Sequence, residues 1–133
     1  MGVRQQFKMD DFDWCITVYY TVDEAQKTEI FGELMKLECA KDTVDSIVKN
    51  LSDAAVDTGF TYSSFKHKCS ILVIHKASSV GEFINTFEHE KNHLEMHICE
   101  ALDINPYSEE AAHLSGDLAQ LILEKALCTI VEL

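Results

Sequence analysis

The sequence predicts a small α+β domain, and three observations predict it. Runs rich in β-branched and aromatic residues at 13–22, 60–65 and 68–76 read as strands. Apolar residues recur at helical spacing in four other stretches, and no Pro/Gly/Ser-rich linker, repeat or low-complexity tract divides the chain. The predicted order is βααββαα, with about three strands and the helices packed on them. At 133 residues the chain suits one hydrophobic core, so 1–133 is expected to be a single domain, with 1–12 a loosely ordered lead.

The elements follow in order. Residues 13–22, DWCITVYYTV, form the first strand. From Asp23, a capping residue, Ile30, Phe31, Leu34, Met35 and Leu37 mark a helix to about Leu37. Val44, Ile47, Val48 and Leu51 mark a second, shorter helix over 42–52. Asp57-Thr58-Gly59 is a turn signal that leads into FTYSSF (60–65) and KCSILVIHK (68–76), a hairpin or two adjacent strands. Ser79-x-x-Glu82 reads as a capping box. It opens a helix whose stripe runs through Val80, Phe83, Ile84, Phe87, Leu94, Ile98 and Ala101 to about Leu102. Asp103 to Tyr107, with Asn105-Pro106, is a tight connection. Ser108 then caps a last helix through Leu114, Leu118, Leu121 and Ile122 to about Cys128.

Charge narrows the function classes. Lys and Arg number 11 against 23 Asp and Glu, a net charge of −12. Phosphate backbones and anionic lipid repel such a chain, so neither nucleic acid nor a membrane is an expected partner. No apolar run reaches the ~18 residues of a spanning helix, and the first residues show no apolar core of a signal peptide. The five cysteines are scattered without a CxxC pair, which reads as free thiols in a reducing, cytoplasmic setting. Structural thiols are the default for all five.

Four of the six histidines, His89, His93, His97 and His113, fall close together. Residues 89–93 read His89-Glu90-Lys91-Asn92-His93, an H-E-x-x-H within the predicted third helix. Histidines at i and i+4 stack on one helix face and can share a Zn²⁺, while the intervening Glu90 can take a proton from a metal-activated water. Chance alone would place this motif in a chain of this composition with an expectation of about 0.03. At ~100° per residue, His93 lies about 120° from the stripe centred on Phe87, and His89 farther round. Neither is expected in the core.

A zinc site needs a third protein ligand. His97 is two turns from His89, ~12 Å along a straight helix, too far for both to reach one ion, and is expected to flank the site. The last helix should run antiparallel and return its first turn, Glu109-Glu110, toward His93. Glu109 shares a small-residue stripe with Ala112, Gly116 and Ala119, whereas Glu110 aligns with Leu114, Leu118 and Leu121. Glu109 is therefore the preferred third ligand and Glu110 the alternative.

His89-Glu90-x-x-His93 followed by Glu109-x-x-Ala112-x-x-x-Gly116 resembles a minimal gluzincin, the zinc-peptidase class with HExxH on one helix and a glutamate on the next. The second element is similar to the Glu-x-x-Ala helix of ImmA/IrrE-like and other small zincin-like proteins. The stretch KASSVGEFINTFEHEKNHLEMHI is also similar to short peptidases of bacteria, their phages and mobile elements. The resemblance covers about 59–127 and implies a strand beside the motif helix that pairs with an extended substrate, for which 68–76 is the candidate. It also implies a Tyr or His that steadies the oxyanion; Tyr107 and His113 are available, but neither has a spacing that assigns it that role. The expected function is a zinc metallopeptidase acting on a peptide or protein, with Zn²⁺ on His89, His93 and Glu109 and with Glu90 as general base. The alternative is a catalytically inactive zincin-like accessory module, of phage or mobile-element type, that binds a host protein.

Overall fold

A four-stranded mixed sheet carries helices on both faces. The computed structural model describes residues 2–53 and 56–131, with side chains described as far as Leu127 in the last helix. Cys128 and the apolar side chains after it lie outside the described residues. The elements are β1 (Val3–Met9), β2 (Trp14–Tyr20), α1 (Glu24–Lys36), α2 (Lys41–Asp53), β3 (Gly59–Ser64), β4 (Cys69–Ile74), α3 (Val80–Leu102) and α4 (Glu109–Val131). The sheet order is β1-β2-β4-β3. β1 is antiparallel to β2, β2 parallel to β4, and β3 antiparallel to β4.

The expectation of a loose segment over 1–12 and of three strands is corrected here. Val3–Met9 is a full strand in register with β2, Val3 opposite Tyr20 and Met9 opposite Trp14. Its polar residues, Arg4, Gln5, Gln6 and Lys8, hide the signal, since an edge strand buries only part of one face. A short 3₁₀ turn over Asp10–Phe12 and a left-handed Asp13 (φ 51°) reverse the chain between the two strands.

Strand alternation divides the core in two. Trp14, Ile16, Val18 and Tyr20 of β2, with Leu72 and Ile74 of β4, face α3 and α4. Phe83, Phe87, Leu94 and Ile98 of α3 and Leu114, Leu118 and Ile122 of α4 complete that side. Tyr19, Ile71 and Val73 point the other way, onto Ile30 and Leu34 of α1 and Val44, Ile47 and Leu51 of α2. The central strands are buried on both faces, which is why their sequences read as near-continuous apolar runs.

Side-chain caps set the helix starts. Asp23 and Gln26 form a reciprocal capping box at α1. The Ser79 hydroxyl accepts from Glu82 N at 3.1 Å, and the Ser108 hydroxyl accepts from Ala111 N at 3.2 Å. The stripes are narrower than expected. Phe31 and Met35 of α1, Val48 of α2, and Val80 and Ile84 of α3 are exposed, because each helix meets the sheet along one line only.

Candidate metal centre

α3 crosses above the β3–β4 edge of the sheet, and its two flanks meet different neighbours. Leu94 and Ile98 point into the core. One flank, carrying Thr86, Glu90 and His97, faces β3 and the turn before it: Thr86 Oγ1 donates to Asp57 O, Thr61 Oγ1 to Glu90, and Ser63 Oγ bonds His97. The opposite flank, with Lys91, Glu95 and Cys99, meets α4. Lys91 Nζ lies 2.8 Å from Glu95 Oε1 and donates to Ser115 Oγ at 2.9 Å, while Ser115 Oγ donates to the same Glu95 oxygen at 2.8 Å.

His89 and His93 stand on the outward ridge. His89 is exposed and His93 half-buried, as their angular distance from Phe87 requires. Their Nε2 atoms are 3.2 Å apart, with the rings edge to face at 4.8 Å between centroids. Two nitrogens bound to one tetrahedral zinc at ~2.05 Å would be about 3.3 Å apart, so this pair fits two positions of such an ion.

Glu90 is turned inward and only 5% exposed. Thr61 Oγ1 holds it twice, at 2.8 Å from Oε1 and 3.1 Å from the backbone oxygen. Among the described residues, Oε2 has no hydrogen-bond partner, and no buried side-chain atom is left unsatisfied, so this oxygen reaches solvent. Glu90 also helps to line an open cavity of about 400 Å³ together with His89, Asn50, Asp57, Glu82 and Asn85. Gly59 makes the approach possible. A Cβ there would strike Val73 O and come within 3.2 Å of Glu90 Cγ.

His97 is half-buried and tied to the core by a chain of hydrogen bonds. Trp14 Nε1 donates to Ser70 Oγ at 2.8 Å, Ser70 Oγ lies 2.7 Å from Ser63 Oγ, and Ser63 Oγ lies 2.7 Å from His97 Nδ1. Indole N–H can only donate. Run outward from Trp14, every hydroxyl proton in the chain finds an acceptor, which leaves His97 Nδ1 accepting and its proton on Nε2. Burial, then the neighbouring His93, holds the His97 pKa below its ordinary value and favours this neutral form. His97 flanks the histidine pair, as expected.

Glu109 is not brought to the histidines. Its side chain is 90% exposed, and its carboxylate lies 4.0 Å from His113 Nε2 on its own helix. α4 does run antiparallel to α3, but along the Glu95–Cys99 flank. There a groove lined by Met96, Cys99, Tyr107, Ala111 and Ser115 separates the two helices. Glu110 is also exposed. Among the described residues, no three His, Cys, Asp or Glu side chains gather where a metal ion could be held. Tyr107 and His113 both point to solvent. The small residues of α4 also contribute differently: Ser115, with Ala111 outside the expected stripe, faces α3, whereas Ala112 and Gly116 are exposed and a Cβ on Gly116 would meet nothing within 4 Å.

The substrate-strand expectation is corrected as well. β4 lies between β2 and β3 with both edges paired, so it offers no free backbone. β3 is the terminal strand, and it is the strand that carries Thr61 and Ser63 to α3. Sequence reasoning missed Gly59, Thr61 and Ser63. The alternation of Thr61 and Ser63 with Phe60 and Tyr62 was the available signal, since it marks a polar face toward α3.

No helix among the described residues is long and apolar enough to cross a membrane. Comparison with known proteins finds no matching family model, no matching curated protein and no matching solved structure.

Proposed function

We propose that this protein is a small zinc-dependent, zincin-like metallopeptidase whose centre is the His89-Glu90-x-x-His93 turn of α3. The observation that carries the reading is the 3.2 Å separation of the His89 and His93 Nε2 atoms, with the buried Glu90 next to His89 and the two lining one cavity. His89 and His93 would hold the zinc. When bound, the ion would supply a Lewis acid and lower the pKa of a nearby water. Glu109 remains the proposed third ligand, and its engagement requires the first turn of α4 to move toward the α3 ridge.

The chain's own residues supply the rest. Glu90 Oε2 takes the proton of an attacking water and returns it to the leaving amine. Thr61 holds Oε1, which leaves Oε2 to take up the proton. The outer edge of β3 offers backbone donors and acceptors to an extended peptide laid beside α3. The two-histidine geometry favours a second reading, a zincin-like accessory module that binds a host protein without hydrolysing it.

Metal analysis of purified, tag-free protein after equilibration with zinc tests the centre. One zinc per chain is expected, lost in His89→Ala and His93→Ala. Retention of stoichiometric zinc by both variants, or no zinc in the parent, overturns it. Glu109→Ala loosens zinc if α4 closes the site and leaves it unchanged if it does not. Cleavage of a mixed peptide library, abolished in Glu90→Gln with zinc retained, identifies the peptidase. Zinc without cleavage identifies the binding module.

A further inference from the structure

The two faces of the sheet carry different chemistry, and the face away from His89 and His93 holds two cysteines side by side. Cys15 of β2 and Cys69 of β4 are register partners on adjacent parallel strands. Cys15 shares its face with Tyr19, and Cys69 shares its face with Ile71 and Val73, so both side chains project toward the α1–α2 layer. Cys15 N donates to Lys68 O at 2.9 Å, which fixes the two backbones at this level. Neighbouring strands lie about 4.8 Å apart, within the Cα separation that a disulfide spans.

We propose that Cys15 and Cys69 form a dithiol site that a peroxide converts to a reversible cross-strand disulfide. Both residues are partly exposed, and the Cys69 thiol donates to His67 O at 3.3 Å; Cys39 is partly exposed too but lies after α1, off the sheet and without a register partner, and Cys99 is buried. Burial, then the adjacent Cys15 sulfur, raises the Cys69 pKa, in keeping with two sulfurs that face one another. In the first step the Cys15 thiolate attacks a peroxide oxygen, the O–O bond breaks and hydroxide leaves, giving a sulfenic acid. In the second, the Cys69 sulfur attacks the Cys15 sulfur as its own proton is lost, the S–O bond breaks and hydroxide leaves as water. Two thiols lose two electrons and two protons, and the peroxide is reduced to two waters. No metal or substrate takes part, so the site stands apart from the proposed metal centre.

The test is intact mass and thiol counting of the metal-free parent after brief treatment with hydrogen peroxide, followed by peptide mapping. The expected result is a mass loss of about 2 Da, loss of two of the five thiols, and a peptide linkage between Cys15 and Cys69 that dithiothreitol reverses. Cys15→Ser and Cys69→Ser should each abolish that linkage. Oxygen additions without the mass loss, a linkage through other cysteines or between chains, or no thiol loss at all each overturn the proposal.

Discussion

The Thr61 hydroxyl of β3 clamps Glu90 of α3 at two acceptors, the carboxylate Oε1 at 2.8 Å and the backbone oxygen at 3.1 Å. It is the direct polar tie between the terminal strand and the HExxH turn. Thr61→Val keeps the shape and removes the donor, which leaves a buried carboxylate oxygen without its partner. A stability loss of about 1–3 kcal/mol is expected, with Thr61→Ser restoring most of it. Urea denaturation of the metal-free proteins checks this. Equal midpoints for Thr61→Val and the parent would show that Glu90 does not depend on the clamp.

Gly59 and Gly116 should respond to alanine in opposite directions. At Gly59 a methyl meets the Val73 backbone oxygen and Glu90 Cγ, so Gly59→Ala is expected to cost about 1–3 kcal/mol as β3 is forced off β4. At Gly116, exposed within α4, nothing lies within 4 Å of the added carbon. Gly116→Ala should stabilise by about 0.5–1 kcal/mol through helix propensity. Thermal melts of the two variants give the signs directly.

Lys91 is 6% exposed and is held by Glu95 and Ser115, with Glu88 farther off at 3.8 Å. Glu95→Ala strands a buried ammonium, for which a loss of about 3 kcal/mol is expected. Lys91→Met removes that charge and keeps the apolar stem, so its cost should be smaller. Chemical denaturation that ranks Lys91→Met as the more damaging change would contradict the account.

His75 is buried, its Nε2 lies 2.7 Å from Asn50 Oδ1, and burial followed by the Lys27 charge holds its pKa below the ordinary value. A depressed histidine binds its proton less readily folded than unfolded. Its contribution is therefore complete above the unfolded value of about 6.5 and is lost as pH falls from there to the lower folded value. Stability of the metal-free protein should decline through that window, and His75→Gln should flatten the decline. An unchanged slope in His75→Gln would assign the effect to other groups.

Much of the architecture was legible because periodicity reports burial. The strands around Trp14–Tyr20 and Cys69–Ile74 are apolar because they lie in the middle of the sheet, and the Asp23, Ser79 and Ser108 caps mark the three helix starts they were expected to mark. β1 was not legible, since Arg4, Gln5 and Gln6 alternate on an edge that propensity reads as loop. The turn His89–His93 was readable for a different reason. An i, i+4 spacing fixes two side chains on one helix face whatever the surroundings, and 3.2 Å between nitrogens is the result.

What surrounds that turn was decided by packing. Sequence alone determined that His89 and His93 meet, that Glu90 follows His89 on the same turn and that His97 lies two turns from His89, because all three follow from the rise and twist of one helix. It could not determine that α4 would dock on the Lys91–Glu95 flank and leave Glu109 in solvent. Nor could it show that β3 would be the terminal strand, with Gly59 and Thr61 against Glu90, or that Cys15 and Cys69 would be neighbours. Those relations join residues up to dozens of positions apart. They depend on which helix flank and which strand edge bury the most apolar surface together, a property of the assembled core rather than of any local spacing.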